Sequence, residues 1–538
     1  MATAQTKSLK RDSMIGGVAA LLGQVCKFIL RLATVVVLAR FLSPEDYGLI
    51  AIVTAITSIL VVFRDAGLSM ATIQKPEVNQ VELSSMHWLN VSFGFLTFVG
   101  VSLFSPLLAW MYERPEVFWL FPCYGFLGFV GSFATQRSAI MQRELRFPAL
   151  AKCDVLSQFA GVVTGIISAA YGLGFWSLVI MEGVSTVARN LLLLSMDPWR
   201  PSFLYSHKEA KPLLRFGFSV MCSNALLAFS RGIDALTIGQ FYGLATVGLF
   251  NRAQSLMNTP MNQMIAPVMS VARSAIFRVS DDRSAFESAV IKISRHLFFL
   301  TSIIAISAIG LAPIIVVCLL GPEWNDCTPM FRVLAMFAVV EPVSGLMLNV
   351  LISKGDSGAL LRWRIFSITI IILGLIIGIQ WGALGMVTTY ATSGILIRAP
   401  LLLIYSCKKS GISLATYWKR VAPTLLSATV ALVVSYGLAF ATDNQNYLQL
   451  VFNWAISLSI FILAHVLLPD GIAVLAEVRN LAGDVIQTVS PKVREKLLGQ
   501  RAVLEVADAN TRIDAMIKTP DMPSIEAPSP MTPSQKTP

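Results

Sequence analysis

Apolar stretches of about 20 residues recur along almost the whole chain, and they limit what it can fold into. The stretch at 365–379 is apolar on nearly every face, as a helix surrounded by lipid requires. A β-barrel would instead alternate apolar and polar residues. Only 14% of the 538 residues are charged, against roughly 25% in soluble domains. The sequence therefore predicts an all-α polytopic membrane protein and excludes a soluble enzyme.

Hydropathy and helix breakers predict about fourteen transmembrane helices. They are 14–38, 48–68, 86–111, 118–138, 153–171, 175–195, 213–235, 246–270, 294–319, 328–352, 365–380, 384–406, 421–441 and 448–468. The predicted domains are an N-terminus (1–13), a first lobe (14–195), an inter-lobe loop (196–212), a second lobe (213–406), two C-terminal helices (407–468) and a tail (469–538). The tail is rich in Pro, Ser and Thr from about residue 519, which predicts disorder there.

The placement of lysine and arginine predicts the orientation. With the N-terminus inside, 25 basic residues fall at the inner ends of the spans, whereas the outer loops hold only Arg40 and Arg114. We therefore expect both termini, and with them the inter-lobe loop, on the cytoplasmic side. The net charge of +11 follows from this topology and is typical of anchoring beside anionic lipid rather than of nucleic-acid binding.

The two lobes are predicted to be copies of one another. With a shift of 200 residues, 31–49 (RLATVVVLARFLSPEDYGL) aligns with 231–249 (RGIDALTIGQFYGLATVGL), and Gly48 falls on Gly248. A repeat with an even number of spans keeps its orientation, so we expect two pseudo-symmetric six-helix lobes with a cavity between them. Chance similarity between apolar runs is the alternative.

Small residues support the same repeat further along the chain. GLGFWSLV (172–179) aligns with GALGMV (382–387) at a shift of about 210. GVVTG (161–165) has a counterpart in GLIIG (374–378), and both have the small-xxx-small spacing of closely packed membrane helices.

Seven basic residues remain within the predicted spans once those at the inner ends and in the outer loops are set aside, against three acidic residues away from the span boundaries. The basic residues are Lys27, Arg31, Arg189, Arg231, Arg252, Arg332 and Arg398, and the acidic ones are Glu182, Asp234 and Glu341. A charge at the bilayer centre costs from about 2.5 to more than 10 kcal/mol unless it is paired or hydrated. The excess of cations predicts a cavity for an anionic ligand such as a diphosphate, whose oxygens suit guanidinium groups.

Three basic residues are the first candidates for phosphate binding. Lys27 and Arg31 lie one helical turn apart on the first span, and Arg31 aligns with Arg231 in the repeat. Competing interpretations are an ion pair between Arg231 and Asp234, and snorkelling of Arg31 to the outer surface.

The other four arginines also have two interpretations each. Arg189 and Arg398 align at a shift of about 210 and lie near the inner ends of their spans, where snorkelling competes with phosphate binding. Arg252 and Arg332 lie in the outer halves of spans 8 and 10, where a structural pairing is the alternative to substrate contact.

Glu182, Asp234 and Glu341 are candidates for coupling transport to a proton or sodium gradient, and neutralisation of a nearby arginine is the alternative. Pro342 follows Glu341 and frees a backbone carbonyl, which predicts a hinge in span 10. The seven cysteines are scattered singly, so we expect no metal, disulfide or cofactor.

The segments LARFLSPEDYGL (38–49), FRDAGL (63–68) and QRELRF (142–147) resemble the polysaccharide-transporter branch of the MOP superfamily, the Wzx-type flippases. Within it they are most similar to colanic-acid and exopolysaccharide exporters, over about residues 10–470. The resemblance implies a V-shaped, MATE-like helical protein with a central cationic cavity. It also implies a function: translocation of undecaprenyl-diphosphate-linked oligosaccharide across the bacterial inner membrane, with membrane lipids, polysaccharide polymerase and glycosyltransferases as partners.

Other functions stay open at this point. A MATE-like cation-coupled drug antiporter would have an acidic cavity, and a membrane-embedded polymerase or ligase would need a large outer loop. A lipid II flippase belongs to the same superfamily. The dipeptide Gly-Lys is absent, so the chain has no Walker A motif for ATP hydrolysis. We therefore expect a transporter rather than an enzyme.

Overall fold

The computed structural model describes residues 23–65, 68–74, 78–203, 207–279, 282–354, 357–441, 446–468, 471–472 and 476. All regular secondary structure in these ranges is helical, which confirms the predicted all-α class. The chain divides into a unit of residues 1–471 and a second unit of residues 472–538. The predictions for the N-terminus (1–13) and for nearly all of the tail lie outside the described residues.

Seventeen helices are described within the first unit. They are α1 (23–38), α2 (Pro44–Asp65), α3 (Leu68–Gln74), α4 (Gln80–Met111), α5 (Pro115–Arg143), α6 (Phe147–Ala170), α7 (Trp176–Met196), α8 (His207–Arg278), α9 (Arg283–Gly310), α10 (Ala312–Leu319), α11 (Cys327–Phe337), α12 (Glu341–Ser353), α13 (Ser357–Gly378), α14 (Gly382–Ser393), α15 (Ala399–Ser410), α16 (Leu414–Ala441) and α17 (Tyr447–Leu467). Short 3₁₀ turns lie at Pro322–Trp324 and Ile379–Trp381, and a π-helical turn at Gly394–Arg398 joins α14 to α15.

Nine described stretches are long and apolar enough to cross a bilayer, and a tenth is added if α11 and α12, which meet at a bend of 40°, form one span. Two of the nine contain a hairpin. Gly243 (φ 78°) breaks α8 into two antiparallel arms, and Gly382 (φ 76°) separates α13 from α14. The multi-pass helical architecture is therefore confirmed, whereas the count of fourteen spans stays a prediction.

Local chemistry explains where several helices begin. The Asn79 side chain accepts the backbone N–H of Glu82, and the Glu82 carboxylate accepts that of Asn79, so α4 starts with a capping box. A proline in the first turn starts α5, α6 and α12, where its missing N–H leaves no helical bond unmade. Asp282 caps α9 through the N–H groups of Ser284 and Ala285, and these bonds lower the pKa of its carboxyl.

Two glycines hold α2 and α8 in backbone contact. A Cβ on Gly48 would overlap the carbonyl oxygen of Leu244, and a Cβ on Gly248 would overlap that of Pro44. Since residues 44 and 48 precede 244 and 248 by 200 positions, each contact is the image of the other under the predicted repeat. Such reciprocity is characteristic of contact across a two-fold axis.

A second pair of glycine contacts repeats in the same way. Gly161 of α6 packs against Ser185 of α7, and Gly374 of α13 packs against Ser393 of α14. One turn on, Gly165 contacts Met181, just as Gly378 contacts Thr389. The hairpins α6–α7 and α13–α14 therefore pack in the same register.

Candidate functional site

A cavity of about 690 Å³ lies among the helices of residues 226–402, and its wall combines charged and amide side chains. A volume of this size is typical of small-molecule sites. The walls come from α8, α12, α13 and the α14–α15 region. Its charged lining residues are Arg231, Asp234, Glu341, Arg364 and Arg398.

Arg398 is fixed by aromatic rings and by an unusual helical turn. Its guanidinium carbon lies 4.9 Å from the ring centre of Tyr390 and 5.2 Å from that of Phe337, and Nη2 donates to the Tyr390 carbonyl at 3.0 Å. The π-helical turn Gly394–Arg398 precedes α15, and such turns are frequent at functional sites. Arg398 therefore faces the cavity and does not snorkel to the surface.

Gly394 makes this arrangement possible. A Cβ at this position would overlap the Phe337 ring and lie 2.8 Å from Nη2 of Arg398. The absence of a side chain therefore lets both Phe337 and Arg398 occupy their places.

Asp234 and Arg231 do not form the ion pair that the sequence allowed. Asp234 is 2% exposed. Its carboxylate accepts a hydrogen bond from the backbone N–H of Ala235 at 2.8 Å and another from the side-chain amide of Gln254 at 3.4 Å. Arg231 is exposed at the cavity wall, one turn from Asp234. Its guanidinium therefore stays available to a ligand.

Glu341 lies at the bend in span 10 that was predicted from Pro342. It is the first residue of α12, directly after the 40° break from α11, and it lines the cavity. Arg231 and Arg398 are its cationic neighbours. The two acids and the arginines thus share one wall.

Two sets of lining residues were not among the residues predicted from the sequence. Arg364 precedes the predicted span 365–380, yet it lies on α13 within the electrostatic reach of Arg231. Its Nε, like that of Arg398, is buried and has no hydrogen-bond acceptor among the described residues. The second set is an amide stripe of Gln254, Asn258 and Asn262 on the second arm of α8. Its spacing of four residues inside an apolar span is a helical-face signal that could have identified it.

Two predicted arginines lie away from the cavity. The Arg252 guanidinium carbon is 4.1 Å from the ring centre of Tyr47, and Nη2 donates to Asn251 at 3.1 Å. Arg252 therefore joins α8 to α2. Arg332 is on α11, beside Tyr436 of α16. Neither residue lines this cavity, and substrate contact by either of them stays a prediction.

The remaining predicted residues lie in the first half of the chain, also outside this cavity. Asp154 of α6 accepts Lys27 Nζ at 3.3 Å and Arg189 Nε at 3.0 Å. Arg31 is exposed one turn beyond Lys27 on α1. Glu182 is exposed on α7, near Tyr124. Of the seven basic residues predicted to bind the substrate, Arg231 and Arg398 therefore line this cavity, and a role in substrate binding for the other five stays a prediction.

The family model described as "Polysaccharide biosynthesis protein" matches residues 37–329, more than half of the chain. The chain belongs to this family. Similar proteins of the family include the teichuronic acid biosynthesis protein TuaB of Bacillus subtilis (strain 168), with 21% identity over 81% of this chain and 91% of that protein. The lipopolysaccharide biosynthesis protein WzxC of Escherichia coli (strain K12) is 23% identical over 81% of this chain and 90% of its own. The succinoglycan biosynthesis transport protein ExoT of Rhizobium meliloti (strain 1021) is 23% identical over 63% and 68% of the two chains.

Solved structures of the MOP superfamily share the fold. The lipid II flippase MurJ in an inward closed conformation matches with a TM-score of 0.64 and 14% identity, over 83% of this chain and 97% of that one. An inward-facing MATE multidrug transporter of the MOP superfamily matches with a TM-score of 0.57 and 15% identity, over 71% and 94%. The family predicted from residues 38–49, 63–68 and 142–147 is confirmed, and the protein is a membrane transporter of polysaccharide biosynthesis rather than an enzyme.

Proposed function

We propose that this transporter is a flippase that moves an undecaprenyl-diphosphate-linked oligosaccharide across the bacterial inner membrane for surface polysaccharide synthesis. The observation that carries the proposal is the cavity wall in which Arg231, Arg364 and Arg398 outnumber Asp234 and Glu341. A cationic cavity within apolar helices favours an anionic headgroup over a cationic drug. This sign of charge argues against the drug-antiport alternative.

The lining supplies chemistry for each part of such a substrate. The diphosphate carries several anionic oxygens, which accept forked hydrogen bonds from guanidinium groups such as those of Arg231 and Arg398. The amides of Gln254, Asn258 and Asn262 can donate to and accept from sugar hydroxyls. The polyprenyl chain stays in the lipid, since burying it in this polar wall would leave the polar groups unpaired.

The proposed transport cycle uses two six-helix lobes and fourteen spans with both termini in the cytoplasm. The lobes rock about the Gly48–Gly248 contact, and the cavity opens to each side in turn. Asp234 and Glu341, which share the wall with the arginines, are the candidates for a coupling proton or sodium ion. In this scheme glycosyltransferases supply the substrate inside and a polymerase consumes it outside.

The experiment is complementation of polysaccharide export in a bacterial strain that lacks its own flippase of this family. We expect Arg231→Gln and Arg398→Gln each to reduce export at least tenfold and to leave the amount of protein in the membrane unchanged. Lipid-linked oligosaccharide should then accumulate. Arg420→Gln is the matched control, because Arg420 is an exposed arginine of α16 away from the cavity. Normal export in both cavity variants would refute the proposal.

A further inference from the structure

A second group of charged side chains lies in the first half of the chain and takes no part in the cavity. Asp154 bridges Lys27 and Arg189, with N–O distances of 3.3 and 3.0 Å, and Arg31 lies one helical turn from Lys27. The side chains of Lys27, Asp154 and Arg189 are 32%, 29% and 37% exposed. Two cations therefore contact one carboxylate and a third lies one helical turn away, at a place that a ligand can reach.

Glycine packing gives the residue correspondence between the two halves for the helices that carry this group. Gly161 and Gly374 have equivalent contacts, which relates α6 to α13 by a shift of 213 residues. Their contact residues, Ser185 and Ser393, relate α7 to α14 by a shift of 208. The π-helical turn Gly394–Arg398 contains one residue more than the corresponding α-helical turn, so the shift becomes 209 by its last residue, Arg398.

With these shifts, the residues of the first-half group are equivalent in the repeat to residues of the cavity wall. Asp154 corresponds to Ser367 at a shift of 213, and Arg189 corresponds to Arg398 at a shift of 209. The Gly48–Gly248 contact gives a shift of 200 for the second helix of each half. The sequence alignment of 31–49 with 231–249 extends this shift to the first helix, so Lys27 corresponds to Leu227 and Arg31 to Arg231. All of these second-half counterparts, which are Leu227, Arg231, Ser367 and Arg398, line the cavity.

We propose that the first half carries a second anion-binding site, formed by Lys27, Arg31 and Arg189. When no anion is bound, the Asp154 carboxylate takes the place of the anion. The ligand class is a phosphate or diphosphate group. That the diphosphate of the lipid-linked substrate is its source rests on the proposed function. Carboxylate and phosphate oxygens accept the same charge-assisted hydrogen bonds, so an incoming phosphate can replace Asp154 at Lys27 and Arg189.

The internal carboxylate solves an electrostatic problem that an empty cationic site creates. Cations inside the membrane region are costly without a partner, and Asp154 supplies one whenever the site holds no ligand. The same carboxylate competes with a bound phosphate and therefore promotes its release. In the second half the corresponding residue is the neutral Ser367, so the two sites differ in how strongly they hold an anion.

The test measures pyrophosphate binding by the full-length protein in phosphatidylcholine nanodiscs with isothermal titration calorimetry. Asp154→Asn and Asp154→Ser remove the competing charge, and the serine reproduces the second-half residue. We expect each variant to bind inorganic pyrophosphate about tenfold more tightly than the unmodified protein. Arg189→Gln added to either variant should abolish the gain, whereas Arg420→Gln, at an exposed arginine outside both groups of charges, should leave it.

The matched control is Glu45→Gln, which also removes a carboxylate from an ion pair in the first half, that with Arg114 at 2.6 Å. It should leave pyrophosphate affinity unchanged. Unchanged or weaker binding in both Asp154 variants would overturn the proposal, and a lowered unfolding temperature in the same variants would show that Asp154 only holds helices together. A gain that persists after Arg189→Gln would overturn it too.

Competition then identifies the source of the phosphate. Undecaprenyl diphosphate added to the Asp154→Asn nanodiscs should displace pyrophosphate, whereas replacing part of the phosphatidylcholine by phosphatidylglycerol should not. Displacement by phosphatidylglycerol alone would assign the site to bulk lipid and overturn the link to the substrate. These binding measurements do not depend on export. A wrong flippase proposal would therefore show in the export assay, whereas a wrong assignment of this anion site would show in the calorimetry.

Discussion

At the scale of single residues, neighbours decide what an arginine does, and the sequence shows only part of that. Arg252 and Arg398 both lie inside apolar spans, but Arg252 is stacked on Tyr47 whereas Arg398 lines a cavity. Arg364 and Asp154 were missed because both fall at the edge of a predicted span. The helices begin earlier, at Phe147 and Ser357, and carry these charges inward. Hydropathy identifies charged residues in the middle of a span well and those at its ends poorly, because the apolar stretch that defines a span is shorter than the helix that contains it.

Gly394 offers a test of Arg398 that leaves its charge in place. In Gly394→Ala the new methyl group would overlap the Phe337 ring, so Phe337 and Arg398 must move, at a cost of about 1–3 kcal/mol for overpacking. We expect export to fall severalfold while the protein stays in the membrane, as measured by complementation and immunoblotting. Gly437→Ala is the control, because a Cβ there meets nothing within 4 Å. Equal export by the two variants would mean that the position of Arg398 is unimportant.

At the scale of helices, the sequence predicted the positions of the elements better than their packing. A helix lies at each predicted span as far as the chain is described, and the bend before Glu341 lies where Pro342 indicated it. The residue-by-residue correspondence between the two repeats was harder to predict from the sequence. The shift between equivalent residues changes from 200 to 213 and then to 208 because loop lengths differ, and a π-helical turn raises it to 209. Such shifts follow from contacts, which apolar patterns do not encode.

The Gly48–Gly248 contact should be the most sensitive point of the α2–α8 interface. In Gly48→Ala or Gly248→Ala the methyl group meets a backbone carbonyl oxygen, which cannot rotate away as a side chain can. We expect each variant to lower the unfolding temperature in detergent, with about 1–3 kcal/mol of overpacking strain. The double variant should lose less than the sum, because one backbone separation relieves both overlaps. Gly100→Ala, whose Cβ meets nothing within 4 Å, is the control, and unfolding at the same temperature as this control would contradict the close contact.

At the scale of the whole molecule, described contacts join the two halves at the ends predicted to face outside. Arg40 donates to the Cys318 carbonyl at 3.2 Å, and the buried Trp324 indole donates to the Ala39 carbonyl at 3.0 Å. The Trp324 ring also packs edge-on against Tyr47, with 5.4 Å between ring centres. In the proposed cycle an outward opening of the cavity separates the turn after α1 from the segment between α10 and α11, so we expect these contacts to break at that step.

A cleavable link across these outer ends should therefore stop transport reversibly. Arg40→Cys places a thiol opposite the native, exposed Cys318, and a short dithiol-cleavable bis-maleimide can join the two from the outside. We expect export to fall in proportion to the linked fraction and to recover after reduction of the linker, as measured by pulse labelling of surface polysaccharide. Arg40→Cys combined with Cys318→Ser, which cannot form the link, should export normally under the same treatment. Undiminished export by the linked protein would show that the two turns need not part, and the rocking of the halves would then have to open the cavity by another route.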